Sequence, residues 1–294
     1  MKITKYCQFI SILLFAFYSF SFGQEKRPEE YYSKYFLIDD LAEGYDLKSY
    51  TLNTKELYGI DKKIEIFNLL TKGNGIILVS ALPNLWENKN WIKIDYNLLK
   101  NKVLTKSETN DLFSEMFRNN NPSTKTMNYG IIKKINNEYF IPTNCLLEIF
   151  QIGDYENPLI VPYGTINIKE QMVTIKGMQN FYKDKLPKLP FPLDLRISHQ
   201  ELLFNQKLLA RNYFSGSIQL KNETAFKFWT FDSWRVHDGY NEHRGIDRFV
   251  YVPGKGIIGG SYDFYFIKTP NNLSYDKLWD NIINEKVMIA EELK

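Results

Sequence analysis

Short apolar segments separated by turn-forming residues recur along this chain, and this pattern constrains its fold most strongly. Residues 64–70 and 75–80 are rich in β-branched and apolar side chains, and the intervening Lys72-Gly73-Asn74-Gly75 is typical of a tight turn. Residues 129–135 and 138–141 flank Asn136-Asn137, whose side chains tolerate the positive φ of a hairpin turn. Each pair of segments therefore predicts two antiparallel strands.

The C-terminal third continues the pattern of strands and ends in a helix. Four successive strands are predicted, over residues 218–220, 225–236, 248–252 and 257–268. Beyond them, apolar residues recur every three or four positions, and Ser274 is placed as an N-cap. These apolar residues are Tyr275, Leu278, Trp279, Ile282, Ile283, Val287 and Ala290. An amphipathic helix that packs on the sheet is therefore expected to close the chain.

Two further elements complete the prediction of the fold. Residues 91–96 alternate as a strand, and Thr105 with Glu108 forms a capping box ahead of a short helix. Strands that come in runs, with few and separate helices, favour an α+β fold with a predominantly antiparallel sheet over alternating α/β. Apolar residues make up 44% of the chain and charged residues 24%, which excludes a disordered or collagen-like protein.

The first 23 residues have the organisation of a secretory signal peptide. Lys2 and Lys5 precede an apolar stretch over residues 9–20, and Ser21-Phe22-Gly23 places small residues at the cleavage positions. The mature chain is then expected to begin near Gln24. The alternative is an uncleaved membrane anchor, but the apolar stretch is shorter than the roughly 20 residues that a span needs. No transmembrane span is expected in the mature chain.

Removal of this segment changes the charge and the cysteine content. The mature chain has a net charge of +1, because Lys2 and Lys5 are lost with no acidic residue, and this gives no general attraction to nucleic acid. It retains Cys145 and loses Cys7, so no internal disulfide can form. Cys145 lies in an apolar stretch, which predicts a buried structural thiol.

Pro187, Pro190 and Pro192 fall within residues 183–193 and predict an extended linker. This linker would separate an N-terminal α+β region, residues 24–182, from a C-terminal region, residues 194–294, that holds the antiparallel sheet and the helix.

Residues 254–259 match the glycine fingerprint of dinucleotide-binding proteins, Gly-x-Gly-x-x-Gly. That motif works where a strand ends and a helix begins, because the pyrophosphate binds at the helix N-terminus. Here a strand-like alternation follows the glycines, so a hairpin turn without nucleotide binding is predicted. Gly259 and Gly260 in the returning strand indicate a bulge or a close approach of backbone.

The best candidate for chemistry is the connection over residues 237–246, which is longer than the two to five residues that hairpin loops usually need. It holds two of the three histidines of the chain. His237, Asp238, Glu242 and His243 could act as general acid and base, whereas His237, His243 and Asp247 could bind a divalent metal ion. The competing interpretation is an ordinary polar loop or binding surface, because the spacing of the histidines matches no zinc signature.

Several charged residues around this connection leave further alternatives open. Arg235, Arg244 and Arg248 could receive a phosphate or carboxylate, but Asp232, Asp238 and Asp247 could neutralise them equally well, and Asp263 lies on a neighbouring strand. His199 is expected to be a surface residue.

The sequence shows no serine-hydrolase elbow, phosphate-binding loop, His-Glu-x-x-His motif or Cys-x-x-Cys pair. The sequence therefore predicts an exported binding or accessory module of the cell envelope, with an unidentified envelope or extracellular ligand. A hydrolase, possibly metal-dependent, that uses residues 237–247 is the first alternative. A structural envelope component is the second.

Overall fold

The computed structural model describes residues 27–72, 74–87, 89–118, 125–153, 164–194, 211–231, 245–267 and 273–294. These residues form fifteen described strands and seven described α-helices. The strands are β1 (Lys34–Leu37), β2 (Asp46–Asn53), β3 (Lys63–Leu70), β4 (Gly75–Leu82), β5 (Trp91–Ile94), β6 (Lys125–Thr126), β7 (Tyr129–Ile135), β8 (Glu138–Pro142), β9 (Asn144–Gly153), β10 (Thr165–Asn167), β11 (Arg211–Leu220), β12 (Glu223–Phe231), β13 (Arg248–Val252), β14 (Gly256–Ser261) and β15 (Met288–Ile289). The helices are α1 (Ile38–Gly44), α2 (Lys55–Tyr58), α3 (Tyr96–Leu99), α4 (Lys106–Arg118), α5 (Ile175–Lys185), α6 (Asp263–Phe266) and α7 (Tyr275–Ile283).

The strands form three sheets. The central sheet has the order β10-β9-β4-β3-β2, with β6 also paired to β9, and a smaller sheet has the order β1-β7-β8-β5. The C-terminal sheet has the order β11-β12-β13-β14-β15. Most neighbours run antiparallel, and the pairs β1/β7 and β10/β9 are parallel. The predicted α+β fold with mainly antiparallel strands is confirmed.

The turn and capping residues act locally as the sequence predicts. Strands β3 and β4 form a hairpin with Asn74 at φ 59°, and β7 and β8 form another with Asn136 and Asn137 at φ 49° and 62°. At the start of α4, the Glu108 carboxylate accepts the Thr105 N–H at 2.8 Å and the Thr105 hydroxyl accepts the Glu108 N–H at 3.3 Å. Both hairpins and the capping box are therefore confirmed.

The C-terminal sheet follows the predicted order of four antiparallel strands, with corrections to element ends. The first of these strands begins at Arg211 rather than at residue 218, and residues 232–236 of the second lie outside the described residues. Strand β14 ends at Ser261, so the prediction of a strand up to residue 268 is wrong for residues 263–266, which form α6. Helix α7 begins at its Ser274 N-cap as predicted but ends at Ile283, because Glu285 has a φ of 50°. Val287 and Ala290 therefore lie beyond the helix, and the segment between them pairs with β14 as β15.

The central sheet is buried on both faces. On β4, Ile76 and Leu78 belong to one apolar core, together with residues of the C-terminal sheet such as Phe249. Ile77 and Val79 face the opposite way into a second core, which includes Ile131 and other residues of the smaller sheet. A strand that is covered on both faces has a continuous run of apolar residues in its sequence instead of alternating apolar and polar residues. This explains the sequence of β4. The central sheet is thus the middle layer of the fold.

The predicted linker over residues 183–193 makes contacts with the core. Helix α5 extends to Lys185, and Phe191 and Leu193 are buried in the core that also contains Ile66 and Phe249. Residues on both sides of the predicted boundary therefore contribute to one apolar core. The division into two independent domains stays a prediction.

The hairpin turn expected within the glycine fingerprint is present over residues 253–256. The Lys255 N–H donates to the Val252 carbonyl at 3.0 Å, and β14 begins at Gly256 and pairs antiparallel with β13. The register shifts beside Val250, and a Cβ at Gly259 or Gly260 would overlap the Met288 carbonyl or the Ile246 side chain. The bulge and the close approach are therefore both present. The absence of nucleotide binding stays a prediction.

Candidate functional site

Asp247 is the member of the predicted site whose surroundings the structure describes. His237, Asp238, Glu242 and His243 lie outside the described residues, as do His199, Asp232, Arg235 and Arg244. The described chain stops at Phe231, the last residue of β12, and resumes at Gly245. The candidate segment therefore leaves and rejoins the described fold at the same end of the C-terminal sheet, since β12 and β13 are antiparallel neighbours.

The Asp247 side chain is buried and contacts backbone. Its Oδ2 atom accepts the N–H of Asp263 at 2.6 Å and lies 3.4 Å from the N–H of Phe264. Its own N–H donates to the Ser261 carbonyl and its carbonyl accepts the Thr230 N–H, both at 2.8 Å. The contacts of Oδ2 with the N–H groups of Asp263 and Phe264, the first two residues of α6, explain why the chain turns into a helix there instead of extending β14. Metal ligation by Asp247 stays a prediction.

Arg248 and Asp263 form a buried ion pair directly beside Asp247. Arg248 Nη2 donates to Asp263 Oδ1 at 3.1 Å, and Nη1 pairs with Oδ2 to complete a bidentate contact. Arg248 Nε donates to the Lys286 carbonyl at 3.0 Å, and the Tyr58 hydroxyl donates to Asp263 Oδ1 at 3.0 Å. Because the guanidinium is used by these partners, Arg248 does not present a free cation to an anionic ligand.

Burial and the Asp263 charge oppose each other in their effect on the pKa of Arg248 and act together on the pKa of Tyr58. Burial tends to lower the pKa of Arg248, but the neighbouring Asp263 carboxylate raises it, and the net shift is upward. Burial raises the pKa of Tyr58 well above its ordinary value, and the Asp263 charge adds to that effect. Arg248 therefore stays charged and Tyr58 stays neutral, which is the state that their hydrogen bonds require.

A small cavity adjoins the cluster. Its lining includes Asp247, Arg248, Asp263, Thr230 and Leu193, together with apolar side chains of Ile175, Trp229, Phe264 and Ile282. Its volume is about 10 Å³, which is room for about one water molecule. A molecule larger than water does not fit into this cavity as it stands.

Glu148 is a charged residue near the candidate segment that the sequence analysis did not single out. It lies in the middle of β9 and is 1% exposed, and its two carboxylate oxygens lie 3.2 and 3.1 Å from the N–H of Ile246. Lys125 Nζ lies 3.6 Å from one of these oxygens. Burial raises the pKa of Glu148 to about 7, although Lys125 and the Ile246 N–H both lower it. An acidic residue inside the apolar run Cys145–Phe150 was the signal that could have identified it.

Cys145 is fully buried, as predicted, and burial raises the pKa of its thiol well above the ordinary value. This environment disfavours the thiolate, which is the nucleophilic form. The interpretation of Cys145 as a buried structural residue is confirmed.

Within the described ranges, His, Cys, Asp and Glu side chains form no group of three or more placed to hold a metal ion. The same part of the chain contains no helix that is both long enough and apolar enough to cross a membrane. All three histidines lie outside these ranges, so the predicted metal site at His237 and His243 stays a prediction.

Comparison with known protein families, with curated proteins and with solved structures finds no match for this chain.

Proposed function

We propose that this protein is an exported binding or accessory module of the cell envelope, and that it contacts its ligand at the end of the C-terminal sheet where residues 232–244 are attached. Asp247, Arg248 and Asp263 lie where that segment rejoins the sheet, and we call them its base. The observation that carries this proposal is that these charged residues are already held by other groups of the protein. Asp247 is bound to backbone N–H groups, and Arg248 is paired with Asp263. Buried groups held in this way form a rigid base, and loops on rigid scaffolds commonly carry binding residues.

The same observation favours binding over hydrolysis. A catalytic carboxylate or a metal ligand must reach the reacting group or the ion, whereas Asp247 is 6% exposed and already accepts the Asp263 N–H. The adjoining cavity of about 10 Å³ is smaller than any organic substrate. These two features support a structural role for the base of the segment and leave ligand contact to the surface around it.

A cosedimentation experiment tests the proposal. The probe is the isolated envelope fraction of the producing cells, and the protein is the full mature chain. We expect the wild type to sediment with the envelope, and the double variant His237→Ala/His243→Ala to remain in the supernatant. The control is Gln219→Ala/Thr224→Ala, which changes two exposed residues at the opposite end of the β11–β12 hairpin and should bind as the wild type does.

Three outcomes would overturn the proposal. A wild-type chain that does not sediment is not an envelope-binding module. Equal sedimentation of the wild type and the histidine variant would favour a structural component, since the candidate segment would then not matter. A stoichiometric divalent metal, together with hydrolysis of p-nitrophenyl ester or phosphate probes that the histidine variant loses, would establish the hydrolase alternative.

Export is tested separately by mass spectrometry of the secreted or envelope-associated protein. We expect an N-terminus at or near Gln24. An intact Met1 on membrane-bound material would replace the signal peptide with an anchor.

A further inference from the structure

Glu148 connects the central sheet to the backbone that leads through Asp247 into β13 of the C-terminal sheet. Its side chain leaves β9 toward the C-terminal sheet, and both carboxylate oxygens share the single N–H of Ile246. Ile246 immediately precedes Asp247 and is itself fully buried. One hydrogen-bond donor thus links two segments that are far apart in the sequence.

The neighbouring Gly245 shows how closely the two segments approach. Gly245 has a φ of +78°, and a Cβ on this residue would overlap the Glu148 carboxylate. The backbone at residues 245 and 246 is therefore seated directly on the carboxyl group. A change in the charge or hydrogen bonding of the Glu148 carboxyl group therefore changes its contact with that backbone.

An ionised carboxylate can accept more hydrogen bonds than the described residues around Glu148 donate to it. Its two oxygens offer about four positions for hydrogen-bond donors, and here they share the Ile246 N–H and have Lys125 Nζ at 3.6 Å from Oε1. Among the other titratable groups facing it, the Asp247 carboxylate disfavours a second negative charge nearby. Tyr262, which follows β14, has its hydroxyl 2.7 Å from the Ser80 hydroxyl.

We propose that Glu148 is a proton-controlled anchor: the protonated carboxyl group keeps Gly245 and Ile246 seated on the central sheet, and loss of the proton loosens them. Burial determines the direction in which the contact changes with pH. A buried carboxylate gains hydration when the contact opens, whereas a neutral carboxyl group gains little, so loss of the proton favours opening. Burial places the pKa of Glu148 near 7, so the change falls in a range of pH that proteins commonly meet. Lys125 and the Ile246 N–H lower the pKa of Glu148, but by less than burial raises it.

Hydrogen–deuterium exchange of the full chain measures the anchor directly. The readout is the protection of peptides covering Ile246 at pH 6 and pH 8, corrected for the intrinsic rates of exchange. An opening that returns the Glu148 pKa to its ordinary value lowers protection by about tenfold between these two pH values. We expect the wild type to show this loss and Glu148→Gln to show none. Glu65→Gln, at a partly exposed glutamate paired with Lys133, is the matched control and should behave as the wild type.

Wild-type protection that is constant or rises with pH overturns the proposal, and so does a tenfold loss that persists in Glu148→Gln. If Glu148→Gln fails to fold, the variant Glu148→Gln/Lys125→Met, which removes both charges, replaces it and should show no dependence on pH. This measurement needs no ligand, so its result is independent of the proposed envelope-binding function.

Discussion

The side chain of Asn68 pairs with the backbone of Ile257 as a neighbouring strand would. Asn68 Oδ1 accepts the Ile257 N–H at 2.7 Å, and Asn68 Nδ2 donates to the Ile257 carbonyl at 2.9 Å. Asn68 belongs to β3 of the central sheet and Ile257 to β14 of the C-terminal sheet. A buried amide thus joins two layers of the fold through a specific pair of hydrogen bonds rather than through apolar packing alone.

Asn68→Ala should therefore be strongly destabilising. The substitution leaves the buried N–H and carbonyl of Ile257 without this partner, and each such loss costs about 1–3 kcal/mol. We expect the free energy of unfolding, measured by urea denaturation, to fall by about 2–6 kcal/mol. Asn97→Ala, at an exposed asparagine, should change it by less than about 1 kcal/mol. A similar effect of both substitutions would show that the Asn68 bonds contribute little.

Gly256→Ala tests the same junction from the other side. Gly254 and Gly256 have φ values of +75° and +80°, so alanine is strained at both positions by about 1–2 kcal/mol. A Cβ at Gly254 meets open space, whereas a Cβ at Gly256 would overlap the Asn68 side chain. We expect Gly256→Ala to lower the melting temperature more than Gly254→Ala does. Equal losses would mean that the strained φ, and not the contact with Asn68, determines the requirement for glycine.

In the double variant Asn68→Ala/Gly256→Ala, most of the overlap is relieved because the amide is absent, and only the Cβ of residue 68 remains close, at 3.0 Å. The combined loss of stability should therefore be smaller than the sum of the two single losses. An additive result would indicate that the two residues do not interact.

The free energy of unfolding should depend on pH through Glu148. Its pKa is raised from 4.5 to about 7 in the folded protein, so the folded state binds this proton more tightly than the unfolded state does. The resulting stabilisation is complete below pH 4.5 and is lost as the pH rises through 7. We expect the stability of the wild type relative to Glu148→Gln to fall by about 3 kcal/mol between pH 4.5 and pH 8. A difference that stays constant over this range would contradict the assignment.

Local parts of the fold could be predicted because the residues that determine them are adjacent in the sequence. Asn136-Asn137 specifies a tight hairpin through two positive φ values, and Thr105 and Glu108 satisfy the first N–H groups of α4. The fingerprint glycines could be assigned to a turn because the following residues alternate as a strand. In each case the hydrogen bonds connect residues only a few positions apart.

The remaining features depend on contacts between distant residues. Residues 263–266 alternate as a strand, but Asp247 accepts the Asp263 N–H and so favours a helical turn. The role of Glu148 depends on Ile246, which no local pattern connects to β9. The candidate site was predicted from its residue types, and only the base of that site lies within the described chain, where Asp247 and Arg248 prove to be bound to neighbouring residues.

Substitutions of Arg248 and Asp263 test whether Arg248 is a structural residue or one that binds a ligand. Both side chains are at most 2% exposed and form a bidentate pair. Removing one partner of such a pair leaves an uncompensated buried charge, which costs about 3–5 kcal/mol. Arg248→Met and Asp263→Leu should each show this loss in urea denaturation, and the double variant should lose much less than their sum. Lys93→Met, in the exposed pair with Glu138, should cost less than about 1 kcal/mol. If Arg248→Met instead keeps wild-type stability but abolishes cosedimentation with the envelope, Arg248 is a ligand-binding residue and the structural assignment is wrong.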